Sequence, residues 1–214
     1  MADTGFWYVG QMPDEALAAL APRIGAFCAR ATADPGVQAV LEDWRAAPSR
    51  IHGLGEGQVR NRWNERFHTA FWVVRPPEEV FTACGRDDLD DATWDLSALE
   101  RPRLCRAAFA AVGLIPPVSL LYLGLGPQRT AWLPGVMGVF ALTAAEVTAA
   151  ADHVRKAHSM SPSERAGAIA RMEKWLRMGS SPSFPVGHLL EALPLLFATA
   201  AEEGRGLVAA TAVL

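Results

Sequence analysis

Residues 134–178 constrain this chain more than any other stretch, because they read as a buried strand, a capped helix, a short turn and a second capped helix in succession. Val136-Met137-Gly138-Val139-Phe140-Ala141-Leu142 is a continuous apolar run of strand length, the pattern of a strand covered on both faces. Thr143-Ala144-Ala145-Glu146 then fits a capping box, in which the threonine hydroxyl accepts from the Glu146 amide and the Glu146 carboxylate reaches back to the Thr143 amide. Val147, Ala150, Ala151 and Val154 follow at the spacing of one helix face. Ser161-Pro162-Ser163-Glu164 is a second box, with proline at the first helical position, where its missing donor costs nothing. Ile169, Met172 and Leu176 stripe the helix it opens, and Gly179 is placed to end it. These signals specify architecture and carry almost no chemistry.

The rest of the chain is punctuated in the same way. Phe6-Trp7-Tyr8-Val9 is an aromatic, β-prone opening strand. Pro13-Asp14-Glu15 starts a helix striped by Leu17, Leu20, Ile24 and Phe27, and Asp34-Pro35 starts a shorter one carrying Val37, Val40, Leu41 and Trp44. Residues 46–57 are irregular, and 58–72 turn helical again, with Val59, Trp63, Phe67 and Phe71 facing the core. Residues 85–95 form an acidic loop, 103–112 a helix closed by Gly113, and 118–123 a strand. A last helix over about 186–203 contains Pro194, which is expected to kink or split it, and 207–214 forms a final apolar strand. Strands interspersed among helices predict one α/β domain over 1–214 with an irregular helical insertion around 46–100. Its core is expected to be a layered sandwich on a mostly buried mixed sheet of about four to five strands, with about six to seven helices.

Composition excludes several function classes. A net charge of −3 gives no general basic field for nucleic acid or anionic membrane. The apolar stretch 107–128 is long enough to span a bilayer, but Pro116-Pro117 at its centre, with Gly113, Gly124 and Gly126, divides it. The start of the chain has no basic n-region and no cleavable apolar segment, and the three cysteines (Cys28, Cys84 and Cys105) show no paired spacing. The expectation is a cytoplasmic protein with reduced thiols.

Three places together resemble the YfbM-like family of small bacterial proteins. Met12-Pro13-Asp14-Glu15-Ala16-Leu17 holds the place of its first helix start. Leu142-Thr143-Ala144-Ala145-Glu146-Val147 is similar to its strand-to-helix junction, and residues 197–204, Phe-Ala-Thr-Ala-Ala-Glu-Glu-Gly, look like its last helix end. The chain departs from the family at Leu89-Asp90-Asp91-Ala92-Thr93-Trp94-Asp95, which has neither the lysine nor the histidine of the family's middle motif. The resemblance implies a three-layer α/β fold and, because the family has no settled activity, no mechanism.

Candidate chemistry gathers on residues 58–72. Asn61, Glu65 and His68 share one helix face, with Arg62 and Arg66 on another and Trp63 and Trp72 close by. A carboxylate and an imidazole three residues apart can divide acid and base roles, and tryptophan walls can shift their pKa values. The bland alternative is a solvated helix flank. The cluster Asp87-Asp88-Leu89-Asp90-Asp91 contains a magnesium-diphosphate-like pattern without a second metal motif, and reads instead as a solvated turn before a helix. His52, His68, His153, His158 and His188 never fall in a metal-ligand spacing, and Gly53-Leu54-Gly55-Glu56-Gly57 lacks the spacing of a phosphate loop. Neither a metal nor a cofactor is implied.

Two readings follow. The first is a non-enzymatic protein that binds a partner protein or a small organic ligand through the insertion, using Arg62, Trp63, Arg66, Trp72 and Trp94, residue types that dominate binding hot spots. The alternative is a cofactor-independent small-molecule enzyme (a cyclase, isomerase or hydrolase) with Glu65 and His68 as its acid and base and Arg62 orienting an anionic group.

Overall fold

The computed structural model describes residues 4–52, 62–73, 106–112, 116–176, 181–182 and 184–213. Strand β1 (Thr4–Met12) opens the chain and hands over at Pro13 to helix α1 (Asp14–Ala33). Leu17, Leu20, Ile24 and Phe27 of α1 are all buried, as the spacing requires. Helix α2 (Pro35–Ala46) is capped by Asp34, whose carboxylate accepts from the Val37 amide at 2.9 Å. Then come α3 (Pro48–His52), α4 (Arg62–Val73), β2 (Arg106–Val112), α5 (Pro117–Leu125) and α6 (Pro127–Thr130). A short strand β3 (Phe140–Leu142) leads into α7 (Ala144–His158) and α8 (Pro162–Leu176). Both capping boxes form. The Thr143 amide donates to Glu146 at 2.8 Å, and the Ser161 amide donates to Glu164 at 2.8 Å. The chain closes with β4 (Ser181–Pro182), a 3₁₀ turn (Val186–His188), α9 (Leu189–Glu203) and β5 (Gly206–Val213).

The layered sandwich on a mixed sheet of four to five strands is overturned. The described residues are mostly helical, with nine α-helices, and the sheet proper is a small antiparallel one of three strands, β5, β1 and β2. The three-residue β3 and two-residue β4 only extend its two edges, giving the order β3-β5-β1-β2-β4 with every pair antiparallel. The register sets the bulky residues of β1 opposite alanines: Tyr8 faces Ala108 and Ala210, and Val9 faces Ala107 and Ala209. Large residues beside small ones let helices pack closely on the sheet. Trp7, Tyr8 and Val9 are successive and all buried, so both faces are covered.

Three local readings are corrected for physical reasons. Residues 106–112 form a strand rather than a helix, because pairing with β1 outweighs the helix propensity of their alanines. Residues 117–125 form a helix rather than a strand. All nine are buried, so an apolar surface all round hides the helical period, and Pro117 stands at the first helical position. The run 136–142 is not one strand, because Met137 and Gly138 have φ of 51° and 82° and only Phe140–Leu142 joins the sheet. Val136 and Val139 exchange amide-to-carbonyl hydrogen bonds of 3.0 and 2.9 Å, so Met137-Gly138 forms the tip of a tight hairpin. Positive φ at both tip residues is what a type I′ turn demands.

Among the described residues no helix is long and apolar enough to cross a membrane.

Candidate functional site

The predicted acid–base pair sits on α4, and the two side chains meet different surroundings. His68 is 4% exposed and turned into the core. Its Nδ1 lies 2.7 Å from Ser119 Oγ, whose own proton goes to the Pro116 carbonyl at 2.7 Å. The serine oxygen therefore accepts, and Nδ1 carries the imidazole proton. The ring also packs edge-on against Trp175, with centroids 4.9 Å apart. His68 thus ties α4 to α5 and α8. Glu65 is exposed and, with Arg66, lines a shallow groove against Val37 and Val40 of α2. Arg66 reaches Asp43 of α2 at 3.8 Å. Arg62, Trp63 and Trp72 belong to α4 by backbone, their side chains lying outside what is described, and Trp94 and the Asp87–Asp91 cluster lie outside the described residues. Among those residues, no three histidines, cysteines or acids are grouped to hold a metal.

The better-formed site lies one helix away, where sequence reasoning did not look. A cleft of about 300 Å³ opens between α2, α5, α6 and the segment 131–137. Its floor is made by three buried residues, Trp44, Tyr122 and Met137. The Trp44 and Tyr122 rings lie 5.8 Å apart at an angle of 34°. Leu41, Leu133 and Val136 add apolar wall. The polar rim carries Thr32, Gln38, Arg45 and Thr130.

Gln38, Thr130 and the Met137–Gly138 tip are each held from behind. The Gln38 amide donates to the Thr32 carbonyl at 2.7 Å, joining the start of α2 to the end of α1. The Thr130 hydroxyl donates back into its own turn, to the Gly126 carbonyl at 3.0 Å. The Met137–Gly138 tip is fixed by the Trp7 indole of β1, which donates to the Gly138 carbonyl at 2.9 Å. Met137 is a non-glycine residue in the left-handed region, a conformation that persists only where its surroundings over-determine it. Burial pushes the Tyr122 phenol well above its ordinary range, against the opposing pull of the Gly138 amide and the Arg45 charge. Tyr122 therefore stays a neutral hydrogen-bonding group. The arrangement can enclose an apolar body and meet its polar end at the rim. Among the described residues its lining offers no carboxylate, imidazole or thiol to serve as a general base.

The sequence did contain a signal for this site. Pro134-Gly135-Val136-Met137-Gly138 places two glycines and a proline within five residues, which is turn chemistry, yet its apolar content read as strand. Trp44 read only as the last position of a helix stripe. No family model, no curated protein and no solved structure matches the chain.

Proposed function

We propose that this chain is a non-enzymatic binding protein for a small organic ligand, taken up in the cleft between α2, α5, α6 and residues 131–137. The observation that carries the reading is the base of the cleft, where two aromatic rings and a methionine held in the left-handed region lie within a lining of mixed polar and apolar groups. Ligand sites are typically pre-formed concavities in which aromatic side chains stand beside a few placed polar groups. The reading moves the binding surface from the insertion to the helix just before it. Kinship with the YfbM-like family stays a proposal of its own and supplies no chemistry. No observation favours the acid–base alternative, since Glu65 faces solvent and His68 faces Ser119 and Trp175.

A fragment screen by thermal shift, followed by amide and indole NMR, tests this reading. Ala131 is an exposed rim residue, so Ala131→Trp should plug the cleft without disturbing the fold. Fragments that raise the melting temperature should shift the Trp44 indole resonance and lose their effect in Ala131→Trp. Hits that stabilise both proteins equally would place binding elsewhere and end the proposal.

A further inference from the structure

The charge on the cleft rim narrows the ligand class, an inference that rests on the binding reading above. Arg45 is the one charged residue lining the cleft among the described residues. It is exposed, and among the described residues it has neither an ion-pair nor a hydrogen-bond partner. Arg23, Arg30 and Arg205 are likewise exposed and without a side-chain partner among the described residues, but they do not line the cleft, and several other arginines are engaged. Arg66 engages Asp43, Arg129 engages Glu164 at 2.9 Å, Arg165 engages Glu191, and Arg171 donates to the Gly124 carbonyl at 2.8 Å. The acid nearest in sequence, Asp43, is thus turned to α4 and away from Arg45. A second donor is also left over. The Trp44 indole nitrogen is buried and has no hydrogen-bond partner among the described residues, which a fold ordinarily avoids because an unmade buried hydrogen bond is costly.

We infer that the cleft takes a small planar organic monoanion, a ring bearing one carboxylate, with the carboxylate on the Arg45 guanidinium and the ring over Trp44 and Tyr122. A planar guanidinium matches a planar carboxylate through two parallel hydrogen bonds. A phosphate would set two negative charges against a single cation, with no second basic residue among the described lining residues to share them. A cationic ligand would meet Arg45 with no acid among the described lining residues to offset it. The volume suits one or two fused rings, at the small end of ligand sites.

The test compares four probes by NMR titration on the full chain: 2-naphthoate, benzoate, the uncharged 2-naphthamide, and inorganic phosphate. The carboxylates should shift the Trp44 indole and the Gly135 and Met137 amides. The amide should bind at least about tenfold more weakly, as expected when a charge-assisted pair is lost. Phosphate should leave these resonances in place. Arg45→Gln, whose melting temperature should be unchanged because the side chain is exposed and without a partner, should erase the preference for naphthoate over naphthamide, and Arg45→Lys should restore part of it. Equal binding of acid and amide, or an unaltered preference in Arg45→Gln, overturns the ligand class. If neutral or cationic fragments occupy the cleft while both acids do not, the class is wrong and the binding reading stands. If no fragment of any charge moves the cleft resonances, both fail together.

Discussion

The His158 ring donates through Nδ1 to the Leu190 carbonyl at 2.8 Å, and its Nε2 is buried without a hydrogen-bond partner among the described residues. Burial, helped by the Arg129 charge and opposed by the Leu190 carbonyl, lowers its pKa from the usual 6.5 to about 4. The ring is therefore neutral in the fold wherever the unfolded chain would begin to protonate it. Stability from that neutral ring is complete above about pH 6.5, drains away as the pH falls to about 4, and changes no further below that. The span is on the order of 3 kcal/mol. Urea unfolding from pH 8 to pH 4 should show this slope, and His158→Gln, which keeps a donor but does not titrate, should flatten it. An unchanged slope in the variant would assign the acid sensitivity to other groups. Glu164 does not fill this window. The Ser161 amide and hydroxyl, with Arg129, hold its carboxyl down at about 2, so its contribution fades only between about pH 4.5 and pH 2.

At the scale of elements, the same bond explains how α9 runs through a proline. Pro194 has no amide hydrogen, so the Leu190 carbonyl four residues earlier loses its helical partner, and His158 of α7 replaces it from outside. The helix is neither split nor left with an orphan acceptor. His158→Leu should cost about 1–3 kcal/mol by stranding that carbonyl. In a Pro194→Ala background, where an amide is again available, the cost should shrink markedly, giving a measurable coupling in a double-mutant cycle. Strict additivity would mean that the histidine serves α9 in some other way. Arginines do similar work elsewhere. Arg171 caps the last carbonyls of α5, and Arg129 donates to the Ala157 carbonyl at the end of α7. Sequence reading found the helix starts well, because Asp34, Thr143 and Ser161 act on amides within three residues of themselves. It missed these partners, because they arrive from helices about 30 to 50 residues away in the chain. It missed the cleft for the same reason. Trp44 and Tyr122 are brought together only by tertiary packing, and nothing at either position marks the other.

For the whole molecule, the strand order moves the slowest-exchanging region away from where the sequence puts it. The doubly covered strand that the run 136–142 predicts would put Val139 and Phe140 inside the sheet, but β3 is a three-residue edge, and β1 stands at the middle with β5 and β2 on either side. Native-state hydrogen exchange should find Val9, Val208 and Ala209 among the most protected amides, with Ala141 exchanging sooner. Equal protection at Ala141 would mean that β3 is more firmly integrated than its length implies. The paired strands β1 and β5 are also the most distant in the chain, since Gly5 pairs with Val213 and Met12 with Gly206. Local helix formation cannot bring them together. Closing a loop of that length costs entropy before any pairing repays it. The helices can assemble early around α5, while the central ribbon of the sheet waits for a chain-spanning encounter. Folding is therefore set to be limited by search rather than by helix growth. A lesion in β5 that the finished sheet tolerates would still prolong the time the chain spends with an unpaired, alanine-rich strand exposed to its neighbours.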